Sequence, residues 1–188
     1  GKKVSSIQQS DTGEAIEVTQ AKLEPRSSVL AKIAGGYTVN VSGVTANKLL
    51  ADAANVHIGK IKVADSGKNL LSHWNALRSV GETLDSVTKT DNGGLTLSVG
   101  QYLAGLNDEL IGKFDSELKF SVTGASVTQA TEIGDDTAVE KIDVTDEGSA
   151  ITSKLSDLGD LLTAGKLNSI TQLAPASALE LHASQLDD

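Results

Sequence analysis

The sequence predicts an α/β fold, a right-handed β/α solenoid of stacked strand–helix repeats, and three observations carry that expectation. The chain repeats itself with a period of about 81 residues, long enough for several supersecondary units. Ile61-Lys62-Val63-Ala64-Asp65-Ser66-Gly67 returns as Ile142-Asp143-Val144-Thr145-Asp146-Glu147-Gly148, and Tyr37–Gly43 returns at the same offset as Leu118–Gly124. Short runs alternating apolar and polar residues, the mark of a half-buried strand, take turns with apolar residues spaced for one face of a helix. Glycine is frequent, at 18 residues, while proline occurs only at Pro25 and Pro175, which suits many tight turns in a repetitive framework. A unit of this kind cannot bury its apolar face alone and does so by stacking on its neighbours.

The elements follow in order. Ile7 and Ile16–Val18 open the chain in strand phase. Val29, Leu30 and Ile33 lie at helical spacing, with Gly35-Gly36 as a C-cap before the strand at Tyr37. Val39–Val41 alternate, Gly43 marks a turn, and Thr45 is placed to cap a helix carrying Ala46, Leu49, Leu50, Ala53 and Val56. Ile58, Ile61 and Val63 form the next strand, and Leu70, Leu71, Trp74 and Leu77 the next helix, ending before Gly81. A third strand region runs from Val87 through the Asp91–Gly94 turn to Leu95–Leu97, as a hairpin or an additional short strand. Leu103, Leu106, Leu110, Ile111 and Phe114 make the third helix. The pattern then resumes at Leu118, with Gly124–Asp136 expected to be a looser step holding at most a short helix at Val127, Ala130 and Ile133. The third strand region returns once more as Ile170 with Leu179–Leu181.

Three strand–helix steps per repeat average about 27 residues each, the size of a leucine-rich-repeat coil. The leucine-rich signature itself is not met, because Asp65 falls one position early. No low-complexity linker divides the chain, so residues 1–188 are expected to form a single domain. The opening Gly1-Lys2-Lys3 reads as a piece cut from a longer protein.

Composition narrows the function classes. A net charge of −9, with Arg26 and Arg78 the only arginines, argues against nucleic acid, whose phosphates would be repelled. The sequence holds no apolar run long enough to span a membrane. With no cysteine there is no disulfide, zinc thiolate or thiol nucleophile, and aromatics at 3% leave an aliphatic core.

The sharpest repeated polar feature is Asp-x-Gly, at Asp11, Asp65, Asp91 and Asp146. In stacked steps these carboxylates would align, and aligned oxygens are how repeat proteins bind calcium. Turn and cap chemistry, with each Asp capping the helix that follows it, is the stronger reading. Asp135-Asp136 and Asp187-Asp188 are weaker metal candidates. The histidines, His57, His73 and His182, have no ligand spacing, and no Gly-x-Ser-x-Gly elbow supports a Ser-His-Asp hydrolase. Gly35-Gly36 and Gly93-Gly94 do not continue into a phosphate loop. Trp74 alternates with Leu155 across the repeat, which points to a core position.

Whole phrases of the chain, Val63–Leu70 with Val144–Ile151, Leu84–Thr88 with Leu167–Thr171, and Leu95–Leu103, resemble modules of very large repetitive exoproteins of Gram-negative bacteria, of the adhesin and RTX-like kind. The resemblance implies export by a dedicated secretion system, such as type I secretion, and a place at or beyond the cell surface. The calcium-binding nonapeptides of RTX rolls are absent. The expected function is therefore a non-enzymatic repeat module, an adhesive surface or a structural spacer, without a cofactor. Its partners would be neighbouring repeats of the parent chain and host or matrix proteins or glycans. The alternative is a calcium-dependent folding or binding module using the Asp-x-Gly turns, and a hydrolase is the least favoured.

Overall fold

Every strand pairing in the described residues is parallel, and helices or turns connect one strand to the next. The computed structural model describes residues 4–10 and 13–174. The chain divides into two compact units, Gly1–Asn92 with Asp108–Asp115, and Gly93–Asn107 with Ser116–Asp188.

The first unit runs β1 (Ile7–Gln8), β2 (Ile16–Thr19), α1 (Gln20–Leu30), β3 (Ile33–Ala34), β4 (Val39–Val44), α2 (Leu49–Ala53), β5 (Ile58–Asp65), α3 (Gly67–Ser72), α4 (Trp74–Ser79) and β6 (Leu84–Lys89). Its main sheet has the order β2-β4-β5-β6, so each step lays its strand beside the previous one, while β1 pairs with β3. The second unit runs β7 (Leu95–Ser98), α5 (Val99–Asn107), β8 (Phe120–Ala125), α6 (Val127–Gly134), β9 (Val139–Asp146), α7 (Gly148–Ser153), α8 (Leu155–Thr163) and β10 (Leu167–Gln172). Its sheet order is β7-β8-β9-β10. The chain is thus a mixed α/β protein with parallel sheets and strand–helix alternation.

Register explains why these residues sit where they do. Val39 faces Ile58 and Val41 faces Ile61, and one repeat later Phe120 faces Val139 and Val122 faces Ile142. Period-two alternation sends Val41, Ile61 and Val63 inward, as it does Val122, Ile142 and Val144, and none of the six is more than 1% exposed. Burying each such side chain contributes about 1.5–3 kcal/mol. Both middle strands slip register at a glycine: between Ser42 and Val44 around Gly43 (φ 68°), and between Thr123 and Ala125 around Gly124 (φ 71°). A residue at such a φ must lack a Cβ to avoid strain, so Gly43 is a bulge inside β4, not a turn after it.

Several expected elements differ. Thr45 does not cap a helix: its hydroxyl bonds Asn47 Oδ1, α2 starts only at Leu49, and Val56, expected on its apolar face, is 93% exposed. Gly35 is no helix C-cap, because α1 already ends at Leu30 and Ile33 has entered β3. The third helix breaks at Glu109, whose φ of 58° no helix accommodates. Phe114 consequently leaves the helix, bridges Val87 in parallel and stacks on Trp74 at 5.8 Å. Of the two alternatives for the third strand region, the additional short strand is found, β7 after β6, and not the hairpin. Asp91 is turned back towards α3 and Lys89 grips the Asp91 and Asn92 carbonyls at 2.6 and 2.7 Å, so β7 opens a new sheet.

The step expected to be loose, Gly124–Asp136, is well built. In α6, Ser126 and Gln129 close a reciprocal capping box, and Val127, Ala130 and Ile133 are buried. Its counterpart α2 has only five residues and no side-chain cap.

Candidate functional site

The polar positions that recur are the strand ends. At the end of β5, Asp65 Oδ2 accepts the Ala46 N–H at 2.9 Å, and Oδ1 accepts the Ser66 N–H and the Asn69 amide at 2.8 Å each. At the end of β9, Asp146 accepts Val127 N–H at 3.0 Å and Glu147 N–H at 2.8 Å. Both carboxylates reach back 19 residues, from one strand's end to the helical turn that follows the previous strand. Asp91, beyond β6, accepts the N–H of Gly67 at the start of α3 at 2.8 Å and pairs with Lys89 at 2.8 Å. The first N–H groups of a helix have no internal acceptor, and negative charge at that end is favoured. One acidic residue per such step satisfies both needs.

This corrects the direction of capping. Each Asp was expected to cap the helix that follows it, yet Asp65, Asp91 and Asp146 cap the turn or helix of the preceding step. The following helix α3 is capped instead by Ser66, which accepts Asn69 N–H at 3.3 Å. Asp11 lies outside the described residues. Among the described residues, no group of three or more His, Asp or Glu side chains is arranged to hold a metal ion.

Electrostatics follow the geometry. Burial works to raise the Asp65 pKa, but the Asn69 amide, the Ala46 and Ser66 N–H groups and the charge of His73 outweigh it and hold it below the ordinary carboxylate value. Lys89 and then the Gly67 N–H lower that of Asp91. Asp52 is the reverse case, raised chiefly by burial.

Other polar side chains were not foreseen. Gln20, 9% exposed, accepts Thr45 N–H at 3.1 Å and donates to Asp52 at 2.9 Å, fastening α1 to the step after it. Tyr102 is fully buried and donates its hydroxyl to Asp136 at 2.6 Å; burial and that bond raise its pKa. Lys166 reaches the carbonyls of Gly134 and, at 2.8 Å, Asp136. Gln20 starts a helix, where a glutamine normally faces water, and the partners of Tyr102 and Lys166 lie far along the chain, so no local pattern announces them.

Among the described residues, His57 and His73 make only local contacts. His73 Nδ1 faces the Asn69 carbonyl at 2.9 Å and the adjacent Ser72 hydroxyl at 3.0 Å. The His57 ring stacks on Tyr37 with centroids 4.1 Å apart. His182 lies outside the described residues, as do Asp187, Asp188 and Leu179–Leu181. Trp74 is 3% exposed, a core position. Asp136 is spent on Tyr102 and on Ala138 N–H, while Asp135, Asp157 and Asp160 line a surface hollow of about 240 Å³ beside Leu161.

Comparison with family models, curated proteins and solved structures finds no match. No helix among the described residues is long and apolar enough to cross a membrane.

Proposed function

We propose that the chain is a β/α solenoid module of a secreted or cell-surface bacterial protein, non-enzymatic, acting as a structural spacer and adhesive surface. One observation carries this reading: Asp65 and Asp146, equivalent positions of the repeat, make the same backward bond from a strand end to the turn of the step before. Among the described residues, the side chains at the recurring polar positions, Asp65, Asp91 and Asp146, bond the backbone of the preceding step, as a scaffold requires. Within each four-stranded sheet the strand order follows the chain order, which supports the same reading.

Small-angle scattering from a chain carrying two copies in tandem tests it. A solenoid doubles its longest dimension at constant cross-section; growth of the cross-section instead would end the proposal. Binding of the immobilised chain to glycan or matrix-protein arrays assigns the adhesive role. Turnover of ester or peptide probes that disappears in His73→Ala would overturn the non-enzymatic part.

A further inference from the structure

The strand phase of β6 occurs three times, around Ile7, Val87 and Ile170, and twice it carries the same parallel neighbour. Ile7 pairs with Ile33, and Val87 with Phe114, the counterpart of Ile33 in the next repeat. Around Val87 the cover is dense. Leu110, Ile111 and Phe114 are 2, 7 and 7% exposed, and Arg78 Nε donates to Asp108 at 2.6 Å. Beneath that cover Trp74, Leu84 and Val87 are 3, 2 and 0% exposed. Their counterparts in the second unit are open: Leu155 and Leu167 are half-buried, Ile170 is 43% exposed and neighbouring Leu173 47%. At the other end of the repeat, Val29, Leu30 and Ile33 correspond to Leu110, Ile111 and Phe114, and Val29 is 51% exposed. Among the described residues, the strand they lead into pairs with the two residues of β1 alone.

We infer that the β10 face binds the Val29–Ile33 segment of a second copy of this chain, in the way that Leu110–Phe114 covers β6. β10, six residues long, takes the place of the two-residue β1 on the partner's Ile33 strand. The surfaces joined are different ones, so the contact is head to tail and builds open chains. Apolar burial drives it. The net charge of −9 opposes it at low ionic strength, so salt strengthens the association. Ser27 and Gly159 stand where Asp108 and Arg78 stand, and the contact therefore forms without that ion pair.

Sedimentation velocity of the full chain in about 0.5 M salt tests the idea with Ile7→Asp, Ile33→Asp and Ile170→Asp, each checked for folding by circular dichroism. Weakening β1 with Ile7→Asp raises the association constant about tenfold, on the order of the worth of one half-buried aliphatic contact. Ile33→Asp and Ile170→Asp each abolish association, whereas their equimolar mixture forms 1:1 dimers and nothing larger, since each supplies the half the other lacks. A mixture that stays monomeric, association surviving in either single variant, or no association in both the wild type and Ile7→Asp overturns the inference. It rests on the repeat reading above, but the two fail separately. A tandem chain that scatters as a rod beside a monomeric mixture sinks only the docking, and a globular tandem chain sinks the repeat reading.

Discussion

Asp65 shows at the residue scale how the chain ties one step to the next. Its carboxylate accepts three donors, two of them backbone N–H groups from different steps. Replacing it by alanine orphans the buried turn N–H of Ala46 and removes charge-assisted bonds, a loss of about 2 kcal/mol. Asp146→Ala is expected to cost a similar amount, and, because the two share no partner, the double variant loses about the sum; denaturant unfolding measures all three. Asp65 also sets a pH dependence. Its folded pKa lies below its unfolded one, so its contribution is fully present above about pH 4 and is lost as the pH falls through the folded value. Asp52, whose pKa is raised, acts with the opposite sign and blunts the loss. Unfolding free energy followed from pH 5 to pH 2 should therefore fall less steeply in Asp65→Asn than in the wild type.

At the scale of elements, close approach of backbones is the governing constraint. A Cβ on Gly94 would stand 2.6 Å from the Lys119 carbonyl, in the ladder between β7 and β8. One on Gly134 would meet only the Leu161 side chain, its Cδ2 at 2.5 Å, and that methyl can swing away. Gly94→Ala should cost about 2 kcal/mol and Gly134→Ala less than about 1 kcal/mol; equal losses in thermal melts would contradict this account of the sheet. The same elements show what was legible in the sequence. Strand cores such as Val39–Val41 and Ile61–Val63 were visible because alternation is local and the next repeat shows it again. The capping box of α6 is also local, in the Ser126-x-x-Gln129 spacing, whereas the bulge at Gly43, the break at Glu109 and the Asp146 bond to the start of α6 were not visible. Each depends on a backbone angle or on a partner from another step. Asp65 and Asp146 were recognisable as repeated polar positions, but the bond from each reaches 19 residues back, beyond any window in which capping patterns are read.

At the scale of the whole molecule, the two four-stranded sheets use the same sequential order, and equivalent strands of the two repeats keep the same registers. The Asp-x-Gly carboxylates in the described residues already accept backbone N–H groups, so millimolar calcium should leave the thermal midpoint unchanged. A rise of several degrees would restore the calcium-dependent alternative. Equivalent residues of the repeat occupy equivalent registers, and a chain without cysteine lets introduced pairs report on this. Ser42 faces Lys62 and, at the equivalent positions of the next repeat, Thr123 faces Asp143. Adjacent strands about 4.8 Å apart lie within disulfide reach. Ser42→Cys with Lys62→Cys, and Thr123→Cys with Asp143→Cys, should both close under mild oxidation, while Ser42→Cys with Lys60→Cys, two residues out of register, stays reduced. Closure of the misregistered pair, or of only one of the two matched pairs, would contradict the account.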